Sequence, residues 1–352
     1  YIMARVHETL GDTQAAIEQE TESAEAMQPT GETDLFLPAR DVVVVPTSQA
    51  CDWGGTLRSV GIACATAAEA ATVANQLMET IVYPAYYANA QGRPRGVAEL
   101  PGQGPTWIAA LTTLPDAAGR ERLVASYMKV KPRLDVYERG LCVWNDDEAR
   151  FEHLRTVWSK TTGEKTQAFL PDGHPAFWTD SAGKRWLLFG NPLPTLRCPA
   201  TFEAWQDPSQ WEKLTPQATL KSVGEGKVVK PHSGSIAWHP WRKRWVTVFM
   251  ESFGRPSAFG ELWYAEAAEP TGPWGPCIKV LTHDNYTFYN PRLHVELTPA
   301  DSPVLLFEGT YTQQFANKPF PTPRYDYNQV LYRLDLDDPV LRPAQTGGMS
   351  EP

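Results

Sequence analysis

Two glutamates end apolar runs of the chain, where a charge is unusual. Glu308 follows Leu305-Leu306-Phe307, and Glu251 follows Val246-Thr247-Val248-Phe249-Met250. Charged side chains are rarely buried without a partner, so each needs a counter-ion or a task. A pair of such carboxylates can hydrolyse a glycosidic bond. One, protonated, serves the leaving oxygen, and the other, ionised, is base or nucleophile. A salt bridge to an arginine such as Arg255 or Arg324 is the plain alternative for both. A third acid, Asp326, lies in Pro323-Arg324-Tyr325-Asp326-Tyr327-Asn328-Gln329, just before an apolar run. That mixture suits recognition of hydroxyl groups, and Phe288-Tyr289-Asn290-Pro291-Arg292-Leu293-His294 is built alike. Arg292, His294, Tyr311, Arg324 and Tyr325 are therefore expected to bind substrate hydroxyl or carboxylate groups. A polar network holding a long loop would use the same residues.

His174, His232 and Asn290 follow one another at intervals of 58 residues. Polar residues at equivalent places of a repeat can ring one point and orient a substrate or a cation. Each could equally cap its own turn. His232 is the candidate metal ligand, as histidine supplies metal nitrogens, although no acidic ligand lies near it in sequence. Asp52, beside Trp53, and Arg197 are further substrate-binding candidates. Lys129 and Lys131 fit contact with an anionic substrate or a solvated face.

The elements that must position these groups repeat with the same interval. Gly173-His174-Pro175, Pro231-His232-Ser233 and Tyr289-Asn290-Pro291 each open a unit. An apolar run follows in each: 186–189, 245–249 and 304–307. Each unit then closes on a second strand-like run, Phe202 to Trp205, Leu262 to Ala265 or Val330 to Leu334. Short strands repeated without helices between them are blades of a β-propeller. A further blade begins near Trp107, where Asp116-Ala117-Ala118-Gly119-Arg120 matches Asp180-Ser181-Ala182-Gly183-Lys184 as a hairpin turn. Clear blades thus begin near 107, 173, 231 and 289, and closure calls for a fifth from the degraded first 100 residues. The last repeat lacks an outer strand, which an N-terminal strand is expected to supply, since closure removes exposed edges.

The expected fold is all-β, a five-bladed β-propeller with a short N-terminal helical insertion. Residues 1–34 are read as an N-terminal strand (1–6) and a polar arm (12–34), residues 35–338 as the propeller, and residues 339–352 as a disordered tail. Asp41 to Pro46 reads as a buried strand. Ala70, Val73, Ala74, Leu77, Met78 and Ile81 mark one helical face within 66–81.

Composition bounds the function classes. The 352 residues are 42% apolar and 11% aromatic, enough for a sizeable core. Thirty-one prolines and 25 glycines suit a turn-rich β protein, and 13 tryptophans suit stacking on sugar rings. A net charge of −9 argues against nucleic acid as partner. The five cysteines lack C-x-x-C spacing and read as mostly free, buried thiols. No run is long and apolar enough to span a membrane, and there is no phosphate loop, nucleophile elbow or H-E-x-x-H. No signal peptide is visible. Secretion or periplasmic export would follow had one been removed, and a cytoplasmic place otherwise.

HSGSIAWHPWRKRWVTVFMESFG, GELWYAEA, FYNPRLH, FEGTYT and PRYDYNQVLYRLDL resemble a bacterial family of β-propeller proteins. That family is similar to the five-bladed glycoside hydrolases of arabinanase, xylosidase and invertase type. The resemblance covers residues 105–338. It implies a pocket at the propeller axis with carboxylates on separate blades, and in some members an axial histidine with a divalent cation. Asp52, Glu251 and Glu308 or Asp326 would fill the carboxylate places, and His232 would position substrate or cation. The expectation is a carbohydrate-active glycoside hydrolase with Glu308 as acid and Glu251 or Asp326 as base or nucleophile. A polysaccharide lyase built on His174, His232, Arg292 and Tyr325 is the enzymatic alternative. A glycan- or protein-binding propeller is the other.

Overall fold

The computed structural model describes residues 42–45, 60–63, 96–162, 169–224, 226–254, 261–282, 287–312 and 328–346. They are mostly β and belong to two compact units, 85–216 and 1–84 with 217–352. The chain begins its described part with β1 (Val42–Val45) and β2 (Val60–Ala63).

In unit 85–216, β3 (Thr106–Pro115), β4 (Glu121–Lys131), β5 (Asp135–Asn145) and β6 (Arg150–Ser159) form one antiparallel sheet in chain order. β7 (Ala176–Thr179), β8 (Arg185–Gly190), β9 (Pro194–Pro199) and β10 (Glu212–Lys213) form the next. Between β9 and β10 lies the short helix α1 (Phe202–Gln206). Leu114, Val124, Leu141, Leu187, Phe189 and Trp205 are fully buried in this unit's core.

In the other unit, β11 (Leu220–Lys221) pairs with β12 (Val228–Val229). β13 (Pro231–His239), β14 (Arg244–Glu251), β15 (Glu261–Ala267) and β16 (Ile278–Thr282) form an antiparallel sheet. β17 (Thr287–Leu293), β18 (Val304–Thr312) and β19 (Asn328–Asp335) form the last, which β2 and β1 extend in the order β1-β2-β19-β18-β17. β2 runs parallel to β19 and takes the outer-strand place that the repeat leaves empty. β1 is the strand expected over Asp41 to Pro46. The middle strands β14 and β15 are buried almost end to end, since both sheet faces are covered. Val248, Met250, Tyr264, Leu305, Phe307 and Leu334 are fully buried there. Each buried side chain of this size contributes about 1.5–3 kcal/mol.

The repeated hairpins are alike to the atom. Asp116 Oδ1 accepts from the Ala118 and Arg120 N–H groups, and Asp180 Oδ1 from those of Ala182 and Lys184. Gly119 and Gly183 take the left-handed turn position at φ 78° and 79°.

Two segments differ from expectation. Phe202 to Trp205 is helical rather than extended because Thr201 caps it, accepting a hydrogen bond from the Ala204 N–H. The third strand of that blade is β9 instead. The tail expected to be disordered contains a 3-10 helix, Pro339–Thr346. Leu341 and Ala344, three residues apart, share one face of it and are fully buried. Arg242, paired at 2.8 Å with the buried Glu266, also donates to the Gln345 side chain and pins this helix. The expected strand 1–6, polar arm 12–34 and helix 66–81 lie outside the described residues.

Gly173 sits at φ 72°, and a Cβ on it would run into the Gly190 carbonyl. Gly183 has the same kind of backbone with nothing within 4 Å of a Cβ. Gly173→Ala is expected to destabilise by about 2–4 kcal/mol and Gly183→Ala by about 1 kcal/mol, read from urea midpoints.

Candidate active site

The site is built on irregular first strands. β13 slips register against β14 between Pro231 and Gly234, and β17 slips against β18 between Tyr289 and Arg292. Such bulges bend a strand and re-aim its side chains. Asn290 stands in the second bulge at φ 51°, a conformation that asparagine tolerates better than most residues. The two bulges are stitched together. The Ser233 hydroxyl donates to Asn290 Oδ1 at 2.9 Å, and Ser235 Oγ accepts from the Leu293 N–H at 2.8 Å. His232 and Asn290, matched by register in the sequence, thus lie on strands in direct contact. Both are exposed, as is Arg292.

The slip in β17 sets Arg292 opposite Glu308 on β18. Two residues on, the His294 ring lies between carboxylates. Its Nε2 is 3.2 Å from Glu308 Oε1, and its Nδ1 is 2.9 Å from Glu296 Oε1. Burial alone would lower the His294 pKa. The bonds to Glu296 and Glu308 reverse this and push it up to about 9, against an opposing field from Arg292. Burial raises the Glu296 acid, but the bond from His294 more than offsets it and leaves Glu296 below the usual range. At neutral pH the group is therefore an imidazolium held by two carboxylates.

A second ionic cluster lies in the neighbouring sheet, where Glu251 stands opposite Pro231. Glu251 ends β14 and Glu261 begins β15, and both are buried. Lys227 Nζ is 2.9 Å from Glu251 Oε1, and the Trp263 indole donates to Glu251 Oε2 at 3.2 Å. Lys279 is ion-paired with Glu261. Burial raises the Glu261 acid, and its hydrogen bond with Glu251 raises it further. Burial opposes ionisation of Glu251 too, but the bonds from Glu261 and Lys227 bring it below the usual range. Of the two carboxyls Glu261 is the one that keeps its proton to higher pH, and Glu251 is the one that ionises first. Carboxyls in hydrogen-bond contact cannot flank a glycosidic bond, which needs a separation of about 5 Å or about 6.5–9.5 Å.

Three of the other residues singled out in the sequence, His174, Arg197 and Lys129, belong to the other unit. His174 lies in unit 85–216, where its N–H bonds to the Gly190 carbonyl at 3.3 Å. Arg197, in the same unit, is engaged structurally: it is paired with Glu212 at 2.7 Å and lies over the Trp186 ring at 4.0 Å. Lys129 is neither solvated nor available to an anion. It is buried and donates to the Leu100 and Gly104 carbonyls and to Thr106 Oγ1 at 2.9–3.1 Å. Asp52, Arg324, Tyr325 and Asp326 lie outside the described residues. Tyr311 lies in β18 opposite Phe288 and Asn328, with its side chain outside the description. Burial holds the His232 imidazole below its ordinary pKa, with help from Lys230. Among the described residues no group of three or more His, Cys, Asp or Glu side chains could hold a metal ion. Cys142, Cys198 and Cys277 are buried free thiols, pushed up to about 12 by burial. No described helix is long and apolar enough to cross a membrane.

Glu296, Glu261 and Lys227 were not apparent as site residues in the sequence. A signal existed for Glu296 in the spacing His294-Val295-Glu296. Glu261 gave none, because its partners come from other strands.

No protein-family model and no curated protein sequence matches the chain. Solved structures do. An exo-1,5-α-L-arabinanase from a bovine ruminal metagenomic library is 11% identical, covering 66% of this chain and 75% of its own, with a TM-score of 0.38. An N-acetylgalactosamine deacetylase from F. plautii, in complex with blood group B trisaccharide, is 13% identical, covering 72% and 76%, with a TM-score of 0.39. An arabinanase from Bacillus subtilis is 12% identical, covering 58% and 68%, with a TM-score of 0.32. The similarity is distant and is one of fold.

Two pH dependences follow. His294 binds its proton more tightly folded than unfolded, so its contribution is complete below about pH 6.5 and is lost as pH rises through about 9. Melting temperature is expected to fall across that window, by roughly 3 kcal/mol of stability, and His294→Gln is expected to flatten the fall. Glu261, also raised, contributes stability that is lost with rising pH. Glu261→Gln, which mimics the protonated form, is expected to gain on the wild type between pH 5 and pH 8 in paired thermal melts.

Proposed function

We propose that this chain is a carbohydrate-active hydrolase that cleaves glycosidic bonds, with Glu308 as its ionised carboxylate. The observation that carries the reading is the placement of Glu308. It is partly exposed, stands opposite the exposed Arg292 beside a bulge, and accepts from a protonated His294. A carboxylate with an imidazolium donor is suited to act as base or nucleophile, because the positive charge favours its ionised form. That differs from the acid role expected of it in the sequence. The proton donor then falls to another carboxyl. Glu251 and Glu261 are too close together to supply both halves of the chemistry, and Asp326, just ahead of β19, is the sequence's remaining candidate. Exposed Arg292, Asn290 and His232 are suited to bind substrate hydroxyl or carboxylate groups.

A lyase reading is favoured by one observation. His232 is exposed and held toward its neutral form, so it could abstract a proton α to a uronate carboxylate that Arg292 neutralises. An ultraviolet-absorbing, unsaturated product would identify that reaction.

Reducing-end release from a panel of plant and bacterial glycans is the test. Glu308→Gln is expected to lower kcat by about 10²–10⁴-fold while the chain stays folded, with a melting temperature lowered at neutral pH because the His294 imidazolium loses one of its two carboxylates. Wild-type turnover by Glu308→Gln would overturn the assignment.

A further inference from the structure

The His294 side chain is 13% exposed, Glu308 29% and Glu296 56%. The inner carboxylate is thus the partly shielded one, and the outer one stands largely in water. The main chain that carries the ring is fixed on both sides. The His294 N–H donates to the Leu306 carbonyl at 2.8 Å, and the His294 carbonyl accepts from the Leu297 N–H at 3.2 Å. That second bond closes the 3-10 turn Val295–Leu297, which folds Glu296 back over the ring that precedes it.

We propose that Glu296 is a positioning residue for Glu308, acting through His294. A neutral imidazole carries one ring proton, and two carboxylates in reach of both nitrogens are satisfied only when both nitrogens carry one. Glu296 holds Nδ1–H, so Nε2–H is aimed at Glu308 without a choice of tautomer or ring flip. Among the described residues, the charged groups facing the ring are Glu296 from the 3-10 turn, Glu308 from β18 and Arg292 from β17. Burial and Arg292 both oppose the imidazolium. Glu296 and Glu308 together hold it against them. Removing Glu296 releases the ring and weakens the positive charge beside Glu308, while β17 and β18 stay paired.

The role rests on the proposed function, but its first test does not. The ring of His294 is followed by ¹H–¹⁵N NMR in the full chain across pH 5–10, in wild type, Glu296→Gln and Glu296→Asp. The wild-type ring is expected to titrate near 9 with both nitrogens protonated at pH 7. Glu296→Gln is expected to move the midpoint down by about one unit or more, and Glu296→Asp by less. A Glu296→Gln midpoint unchanged from wild type would overturn the role, whether or not any glycan is cleaved. On a glycan that the wild type does cleave, Glu296→Gln is expected to lower kcat about tenfold with KM little changed, and to shift the alkaline limb of the pH profile downward. An unaltered pH profile would likewise contradict it, and an intact profile with a shifted ring would separate its failure from that of Glu308.

Discussion

A protonated imidazole held between two carboxylates is the constraint on which the site depends. The ring and Glu308 would each be costly alone in a partly buried place, while Glu296 stands largely in water. Together they carry one net negative charge, and the ring's two N–H groups both find acceptors. The arrangement fixes which form Glu308 takes and where it points. Arg292, two residues before the ring in the same chain segment, sets an opposing field.

The strands bring this about through irregularity. A regular β17 would keep strict alternation with β18, whereas the slip between Tyr289 and Arg292 sets Arg292 opposite Glu308. The matching slip in β13 allows Ser233 and Ser235 to reach the neighbouring strand. Polar side chains here take over hydrogen bonds that a regular ladder would have made between backbones. The Glu251–Glu261 pair is a different solution. There two lysines and an indole partner the buried carboxyls, so chemistry-bearing residue types serve structure.

Much of the blade construction was legible because it rests on local signals. Asp116 and Asp180 announce identical turns, and apolar runs such as 245–249 map onto the second strand of a blade. Trp205 misled, because an aromatic in an apolar run looks alike in a strand or in a helix until Thr201 is recognised as a cap. Leu341 and Ala344 were hidden among prolines and glycines that suggest disorder. At the site, the register of His232 with Asn290 was readable from the 58-residue period. The sequence drew attention to Glu308 because a charge there ends the apolar run Leu305-Leu306-Phe307. The partners were not readable. Glu261 meets Glu251 across a strand pair, Lys227 comes from a separate hairpin, and no spacing rule links them.

Neutron diffraction on deuterium-exchanged crystals near pH 7 tests the central claim most directly. Deuterium on both ring nitrogens of His294, with none on the Glu308 carboxyl, is the predicted result. Deuterium on a single ring nitrogen, or on Glu308 itself, would contradict the imidazolium that is held here to set the charge and aim of that carboxylate.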